Sequence, residues 1–420
     1  MLERYFTSDS FERSYQDYLR EHRHPRTDKP RIIPGFERLS SRFYARTSLR
    51  EQIFLSTIRK VSQGRYTFNP FSVTYIDKRG GGKRKIAKCG LKDYLVQNAL
   101  NHCLNDIYER QFSSSSFAYR PKLGPKPATL AVRSFVENGV SFFLFGDIKD
   151  FFDQIDHALL LHKLRKDIPD ERLIRLIYRY LRTPAVPNEL LEYARDRSRF
   201  PVNEKGVPQG GALSGMLSNI FLTDLDQEIS RHFPNYVRYA DNFVIGVSQE
   251  QDAREALSMV GKLLSDLQLE IHGEPKTQIC SIEQGFEFLG FYHRKDRFSP
   301  AVSSVKRFKE RMSRSLMSYI PTLDDEWDLA SLVFRANRVI EGRNGRSWGA
   351  YYCLSRDVGL FKRLDKWIGT QVLHAARVKI NRRYRYVDLK DRGLRSMVNG
   401  YYRRFKFPIE KELTEKGSGV

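Results

Sequence analysis

The segment "VSFFLFGD", residues 140–147, constrains this chain more than any other. From Val140 to Phe145 every position but Ser141 is apolar, without the alternation of a strand that has one wet face. A short run of this kind reads as a strand buried on both sides. Gly146 and Asp147 end it, and the pattern turns helical from about Ile155. A carboxylate therefore stands at the end of a buried strand.

The surrounding sequence supplies both helices and hairpins. Residues 1 to 60 read as helical, with a polar break at "EHRHPRTDKPRIIPG". In "FSVTYIDKRGGGKRKIAKCG", Val73, Tyr75 and Ile86 alternate around a Gly-Gly-Gly tip, which predicts a β-hairpin with a basic turn. "DYLVQNALNHCLNDIYERQF" places Leu95, Ala99, Leu100 and Cys103 on one helical face. "GVPQGGALSGMLSNIFLTDLDQEI" opens on turn residues and then sets Leu213, Met216, Leu217, Ile220 and Phe221 on one face. The small residues Ser214, Gly215 and Ser218 form the other, open to close approach by a long ligand.

In "NYVRYADNFVIG", two alternating runs meet at Asp241 and Asn242, so these two are expected at a hairpin tip, where Asn tolerates positive φ. Beyond it, "AREALSMVGKLLSDLQLEI" is an amphipathic helix, "GEPKTQICSI" a loop and strand, and "FEFLGFYHR" a short strand and turn. The chain reads as largely helical and basic from about residue 301.

Charge narrows the partner. Against 50 acidic residues stand 72 basic ones, a net of +22. Residues 301–420 hold 26 basic and 13 acidic side chains, so under a third of the chain carries more than half of the excess. With aromatic residues interleaved, as in "RRYRYVDLK" and "YYRRFKF", this favours a nucleic-acid surface over a merely solubilising face. No run of eighteen apolar residues and no signal-peptide pattern occurs, so a soluble, cytoplasmic protein without a membrane partner is expected. Cys89, Cys103, Cys280 and Cys353 are widely spaced and form no CxxC pair, which predicts buried, reduced thiols.

Asp147 and Asp241 lie 94 positions apart, each at the end of an expected strand. Adjacent strands could join them into the acidic pair that holds two divalent ions about 3.5 to 4 Å apart in phosphoryl transfer. Two strand-end aspartates are also ordinary turn residues. The neighbouring motifs decide between these readings.

In order, "DIKDFFDQIDH", "GVPQGGALSGMLSNIFL", "YADN", "GEPKT" and "FEFLGF" resemble the successive palm motifs of reverse transcriptases of the bacterial lineage shared by group II intron and retron enzymes. "GGGKRKIAKCGLKDYLVQNAL" and "SSSSFAYRP" resemble that lineage's fingers motifs, and "WGAYYCLS" with "FKRLDKWI" the start of its helical thumb. The resemblance spans about residues 70 to 370 and implies an α+β right-hand polymerase fold with fingers, palm and helical thumb. By it, residues 1–60 are an N-terminal helical extension, 61–135 fingers, 136–164 the first part of the palm and 165–205 an insertion. Residues 206–300 are then the second part of the palm and 301–420 a basic helical thumb and C-terminal region.

The resemblance also implies roles. Asp147 and Asp241 bind metal with the backbone carbonyl of Ile148, Asn242 being a further, less direct candidate ligand, and the ion is Mg²⁺, with Mn²⁺ as the alternative. Phe152 is a steric gate against a ribose 2′-hydroxyl, against the simpler reading of a core phenylalanine. Gln209 and Gly210 contact the incoming nucleotide, Lys83 and Arg84 the triphosphate, and Lys276 protonates the departing pyrophosphate. Tyr239 lies beside the primer end, and Leu289 and Gly290 near the primer grip.

Departures from the family pattern are informative. Asn242 replaces the usual second aspartate, which predicts weaker or altered metal use with the site retained. Ala212 and Gly215 stand where group II intron enzymes commonly have proline, no Cys- or His-rich endonuclease module follows, and the retron "VTG" signature is absent. The expectation is a stand-alone, defence-associated reverse transcriptase that makes DNA from dNTPs on a dedicated noncoding RNA. The alternatives are a maturase-like RNA-binding protein with a vestigial polymerase, and a template-independent or protein-primed DNA synthase.

Overall fold

The computed structural model describes residues 2–22, 44–77, 83–187, 190, 200–322, 324–342, 347–355 and 357–405. The chain divides into two compact units, Met1–Phe135 with Val140–Cys280, and Val136–Gly139 with Ser281–Val420. It is mixed α+β.

The first unit begins with helices Leu2–Tyr5, Ser8–Glu21 and Thr47–Ser62. Thr7 caps the second, its hydroxyl accepting from the Ser10 amide at 3.1 Å. The polar break expected between these helices lies, from residue 23 on, outside the described residues. Strands β1 (Phe71–Asp77) and β2 (Lys83–Lys88) form the expected antiparallel hairpin, pairing Val73 with Ala87 and Asp77 with Lys83. Its glycine tip is outside the described residues. Only the base of the hairpin is packed: Val73 is buried, whereas Tyr75 on the same face is exposed. Helix Leu91–Tyr108 follows, with Leu95, Ala99, Leu100 and Cys103 all buried as their spacing predicts.

The buried run becomes β3 (Phe142–Asp147). β4 (Ala185–Pro187) joins β1 in parallel, and β5 (Tyr236–Tyr239), β6 (Asn242–Val247) and β7 (Gln278–Ser281) complete a sheet of order β5-β6-β3-β7. Phe143 and Leu144 point to opposite faces of β3 and both are fully buried. Helix Glu250–Asp266 packs on β3 and β6 and helix Ser214–His232 on β5. Gly146 admits the ring of Phe243 on the paired strand: a Cβ there would stand 2.4 Å from it.

Two expectations are corrected. The small-residue face of helix Ser214–His232 is not open to a ligand, because the chain's own groups fill it. Ser214 and Ser218 are buried, the Tyr180 and Ser214 hydroxyls are 2.9 Å apart, and the Tyr119 ring lies where a Cβ on Gly215 would be. The hairpin tip is Ala240–Asp241 rather than Asp241–Asn242. Tyr239 pairs with Asn242, so Asn242 is already the first residue of β6, and Ala240 takes the left-handed conformation at φ 58°.

The second unit starts with β8 (Phe286–Phe288), β9 (Phe291–Arg294) and β10 (Arg297–Pro300), an antiparallel meander where one short strand and turn were expected. Helices Val302–Met317, Asp325–Glu341, Trp348–Tyr352, Val358–Lys379, Tyr386–Asp391 and Met397–Phe405 follow around their own core of Phe308, Leu332, Phe361 and Leu364. Of "YYRRFKF", the side chains beyond Tyr401 are outside the described residues. Cys103 and Cys353 are buried free thiols, but Cys89 and Cys280 are only partly buried: Cys280 lies on β7 and Cys89 directly follows β2, each an outer strand of its sheet. Among the described residues, no helix is long and apolar enough to cross a membrane.

Candidate active site

Strand register brings the two aspartates together. β3 and β6 are antiparallel and pair Asp147 with Asn242, so Asp241, one residue earlier in the tip, adjoins the end of β3. The Ile148 amide donates to the Asp241 carbonyl at 3.0 Å and fixes that junction. Burial first, and then the charge of Asp241, hold the Asp147 carboxyl above its usual range. Lys276, His272 and Arg84 oppose the shift with positive charge.

Lys276 reaches the pair from the turn after Gly273. Its Nζ lies 3.8 Å from Asp147 Oδ1 and 2.9 Å from His272 Nε2. His272 Nε2 is 3.9 Å from the same Asp147 oxygen, and the His272 amide donates to the Asp147 carbonyl at 2.8 Å. Asn242 turns its amide onto the second aspartate, Nδ2 donating to Asp241 Oδ1 at 3.0 Å.

A second carboxylate whose charge raises the cost of ionising Asp147 makes a pair that suits a divalent cation. Among the described residues no three His, Cys, Asp or Glu side chains cluster to hold an ion by themselves. The donor set is thus two carboxylates with backbone oxygens, which fits a hard ion that keeps waters and phosphate oxygens as its other ligands.

The segment around Gln209 is stitched in from two sides. The Val207 amide donates to the Phe152 carbonyl and the Ala87 amide of β2 to the Gln209 carbonyl, each at 2.7 Å. Gly210, at φ 104°, is held so near β2 that a Cβ would lie 3.0 Å from the Ala87 carbonyl oxygen. Gln209 Nε2 donates to Asp153 Oδ2 at 3.1 Å. Lys83 and Arg84 begin β2 and are exposed, and the charge of Arg84 is felt by Asp147. Phe152 is half-buried, edge-on to Tyr119 with centroids 6.2 Å apart, while its neighbour Phe151 is the fully buried one. Tyr239 ends β5, half-buried. Leu289 and Gly290 belong to the second unit, at the β8–β9 turn with φ of 47° and 85°, where the Tyr351 hydroxyl donates to the Leu289 carbonyl at 2.9 Å.

Three residues at the site were not singled out by sequence. His272 lies one turn from Lys276. Tyr119, within "FAYRP", faces Phe152; partial burial and then the Asp241 charge raise its hydroxyl pKa to about 12. Arg238 is fully buried below the tip. Its Nε and Nη2 donate to the two Asp226 oxygens at 2.7 and 2.5 Å, and its Nη1 to the Ala240 carbonyl at 2.9 Å. The available signal was its place in the alternation, on the same face as Tyr236 and Ala240.

The chain is similar to several known proteins. Protein YkfC of Escherichia coli K12 is 26% identical over 291 residues, covering 59% of this chain and 74% of YkfC. The group II intron-encoded protein LtrA of Lactococcus lactis is 27% identical over 341 residues, 65% of this chain and 55% of LtrA, so the chain spans about half the length of that relative. Among solved structures, telomerase from Candida albicans matches at TM-score 0.41 and 11% identity over 89% of this chain and 71% of that one, a likeness too loose to say more. The profile described as reverse transcriptase (RNA-dependent DNA polymerase) matches residues 76–293, more than half of the sequence, and the chain belongs to that family.

Proposed function

We propose that the protein is an active RNA-directed DNA polymerase that extends a DNA or other primer end from dNTPs on an associated noncoding RNA. The observation that carries this reading is the register that sets Asp241 beside Asp147, with Lys276 at 3.8 Å. Asp147, Asp241 and the Ile148 carbonyl would hold Mg²⁺ or Mn²⁺, which when bound activates the primer hydroxyl and neutralises charge on the phosphates.

The chain's own groups do the rest. Lys276, beside the aspartate pair, donates a proton to the departing pyrophosphate. Arg84, with Lys83, offers donors to the triphosphate from β2. Gln209 and Gly210, fixed between β2 and the Phe152–Asp153 segment, position the incoming nucleotide, and the Phe152 ring occupies the space of a 2′-hydroxyl. Tyr239 borders the primer end. The β8–β9 turn at Leu289 and Gly290 is assigned to the primer grip, and the excess positive charge of residues 301–420 to RNA binding.

The setting we propose is antiphage defence, the departures at Ala212 and Gly215 counting against an intron enzyme; phage plating on cells carrying wild type or Asp241→Ala tests it. A second reading, an RNA-binding maturase-like protein with a vestigial polymerase, is favoured by one observation, the amide of Asn242 engaging Asp241. Single-turnover dNTP incorporation on an annealed RNA template decides. Incorporation abolished by Asp241→Ala supports the polymerase, RNA binding without incorporation supports the maturase-like protein, and product indifferent to template sequence points to a template-independent synthase.

A further inference from the structure

We propose that the first unit carries a second polyanion site, separate from Asp147 and Asp241, that grips the sugar-phosphate backbone of an RNA strand. It is a cavity of about 410 Å³ whose wall includes Arg59, Lys60, Arg65, Lys92, Gln63 and Tyr66, and no lining residue is acidic. Among the described residues, Arg59, Lys60 and Arg65 have no carboxylate within ion-pair reach, whereas Arg50 of the same helix pairs with Glu12 at 3.0 Å. Like charges gathered in a concave wall focus a positive field that a chain of phosphates neutralises with release of its counterions.

The site is held in shape from below. The Tyr66 hydroxyl donates to Asp93 Oδ1 at 2.6 Å, and Asn69 Nδ2 donates to the other Asp93 oxygen at 2.9 Å. The neighbouring acid, buried and engaged inward, does not face the cavity. Arg179 Nη1 donates to the carbonyls of Gly64 and Tyr66 at 2.5 and 2.9 Å and pins the loop that presents Arg65. The Lys92 ammonium stands 5.9 Å from the Tyr66 ring centroid. Tyr66 is only 2% exposed, so no base stacks on it, and the site reads charge rather than sequence.

Its cations come from a helix end, a loop and the start of a second helix, a spread that suits successive phosphates of a strand better than one small anion. That second helix also serves the Gln209 segment: Gln97 Oε1 accepts from the Ala212 amide at 3.1 Å. Lys92 and Gln97, five residues apart, are separated by about 7.5 Å along the helix axis. A strand held in the cavity is therefore one helix away from the segment assigned to the nucleotide.

The choice of RNA rests on the polymerase reading above. The test is fluorescence anisotropy of a labelled, mixed-sequence single-stranded 20-mer RNA over a salt series, comparing wild type with Arg59→Gln/Arg65→Gln. The double variant is expected to bind on the order of tenfold more weakly, alike on unrelated sequences. Its plot of log affinity against log salt should be shallower by about 1.4, roughly 0.7 for each lost phosphate contact. Should that variant melt early, Lys60→Gln/Lys92→Gln serves in its place, with the same expectation. Equal affinity and slope in a folded variant overturn the site alone. So does loss of inorganic pyrophosphate or dNTP competition with RNA affinity unchanged, which would mark a small-phosphate pocket. A wild type that binds no RNA overturns both this site and the polymerase reading.

Discussion

The side-chain amide of Asn242 donates to Oδ1 of Asp241 at 3.0 Å, so the residue that replaces a carboxylate is tied to the carboxylate it follows. The amide places a neutral donor on that oxygen where an aspartate would add a second negative charge. Asn242→Asp restores that charge and deletes the donor. The Mg²⁺ titration of dNTP incorporation should move to lower concentration, and the metal-free protein should melt earlier than wild type. An unchanged midpoint would mean that residue 242 serves only to start β6.

The raised carboxyl of Asp147 sets a pH dependence for the metal-free protein. Burial and the charge of Asp241 raise its folded pKa above the unfolded value, so the stability it contributes is full below the unfolded value. That contribution is lost as pH rises through the folded value. Asp147→Asn removes the penalty. In EDTA at neutral pH the variant should melt above wild type while being inactive, and the gap should close as the pH falls toward the ordinary carboxylate range.

Arg238→Met leaves Asp226 buried without its partner, since both side chains are only 1% exposed. Breaking such a pair costs about 3–5 kcal/mol. Urea denaturation should show a loss of that order, and Arg238→Met/Asp226→Leu should recover part of it. A loss under 1 kcal/mol, the range of an exposed pair, would contradict the burial.

Phe152 stands half-exposed where Phe151 is buried. Phe152→Ala is expected to lower discrimination between dNTPs and rNTPs by about 10- to 100-fold, the reach of a steric contact of this size. Selectivity measured as a ratio of kcat/KM checks this, and an unchanged ratio returns Phe152 to the role of a packing residue.

How much of this was legible in the chain varied with the range of the interaction. The run from Val140 to Phe145 announced a strand buried on both faces because hydrophobicity without alternation has one stable place in a sheet, and β3 occupies it. The helix face of Leu95, Ala99, Leu100 and Cys103 was legible for the same local reason. The hairpin at Asp241 was legible too, but its tip was misplaced by one residue. The preference of Asn for positive φ is weak, and the left-handed position went to Ala240, whose carbonyl takes a hydrogen bond from the buried Arg238. A guanidinium from the adjoining strand overrode a local propensity.

Ser214, Gly215 and Ser218 show the same limit from another side. Small residues announce that something comes close, not what comes, and here it is Tyr180 and Tyr119 of the same chain. His272 and Tyr119 carry no local signal of their own, since His272 depends on a turn and Tyr119 on Phe152 and Gly215 far along the chain, while the place of Arg238 in the strand alternation does not name its partner Asp226. The sequence by itself determined the elements, the uneven charge and the motifs that mark a reverse transcriptase, because each is a pattern of near neighbours. Only the tertiary structure decided that Asp147 meets Asn242 across β3 and β6, so that Asp241 and Lys276 stand beside it. Register between strands whose paired residues lie 95 to 105 positions apart is set by what their side chains pack against, and that is written nowhere in either strand alone.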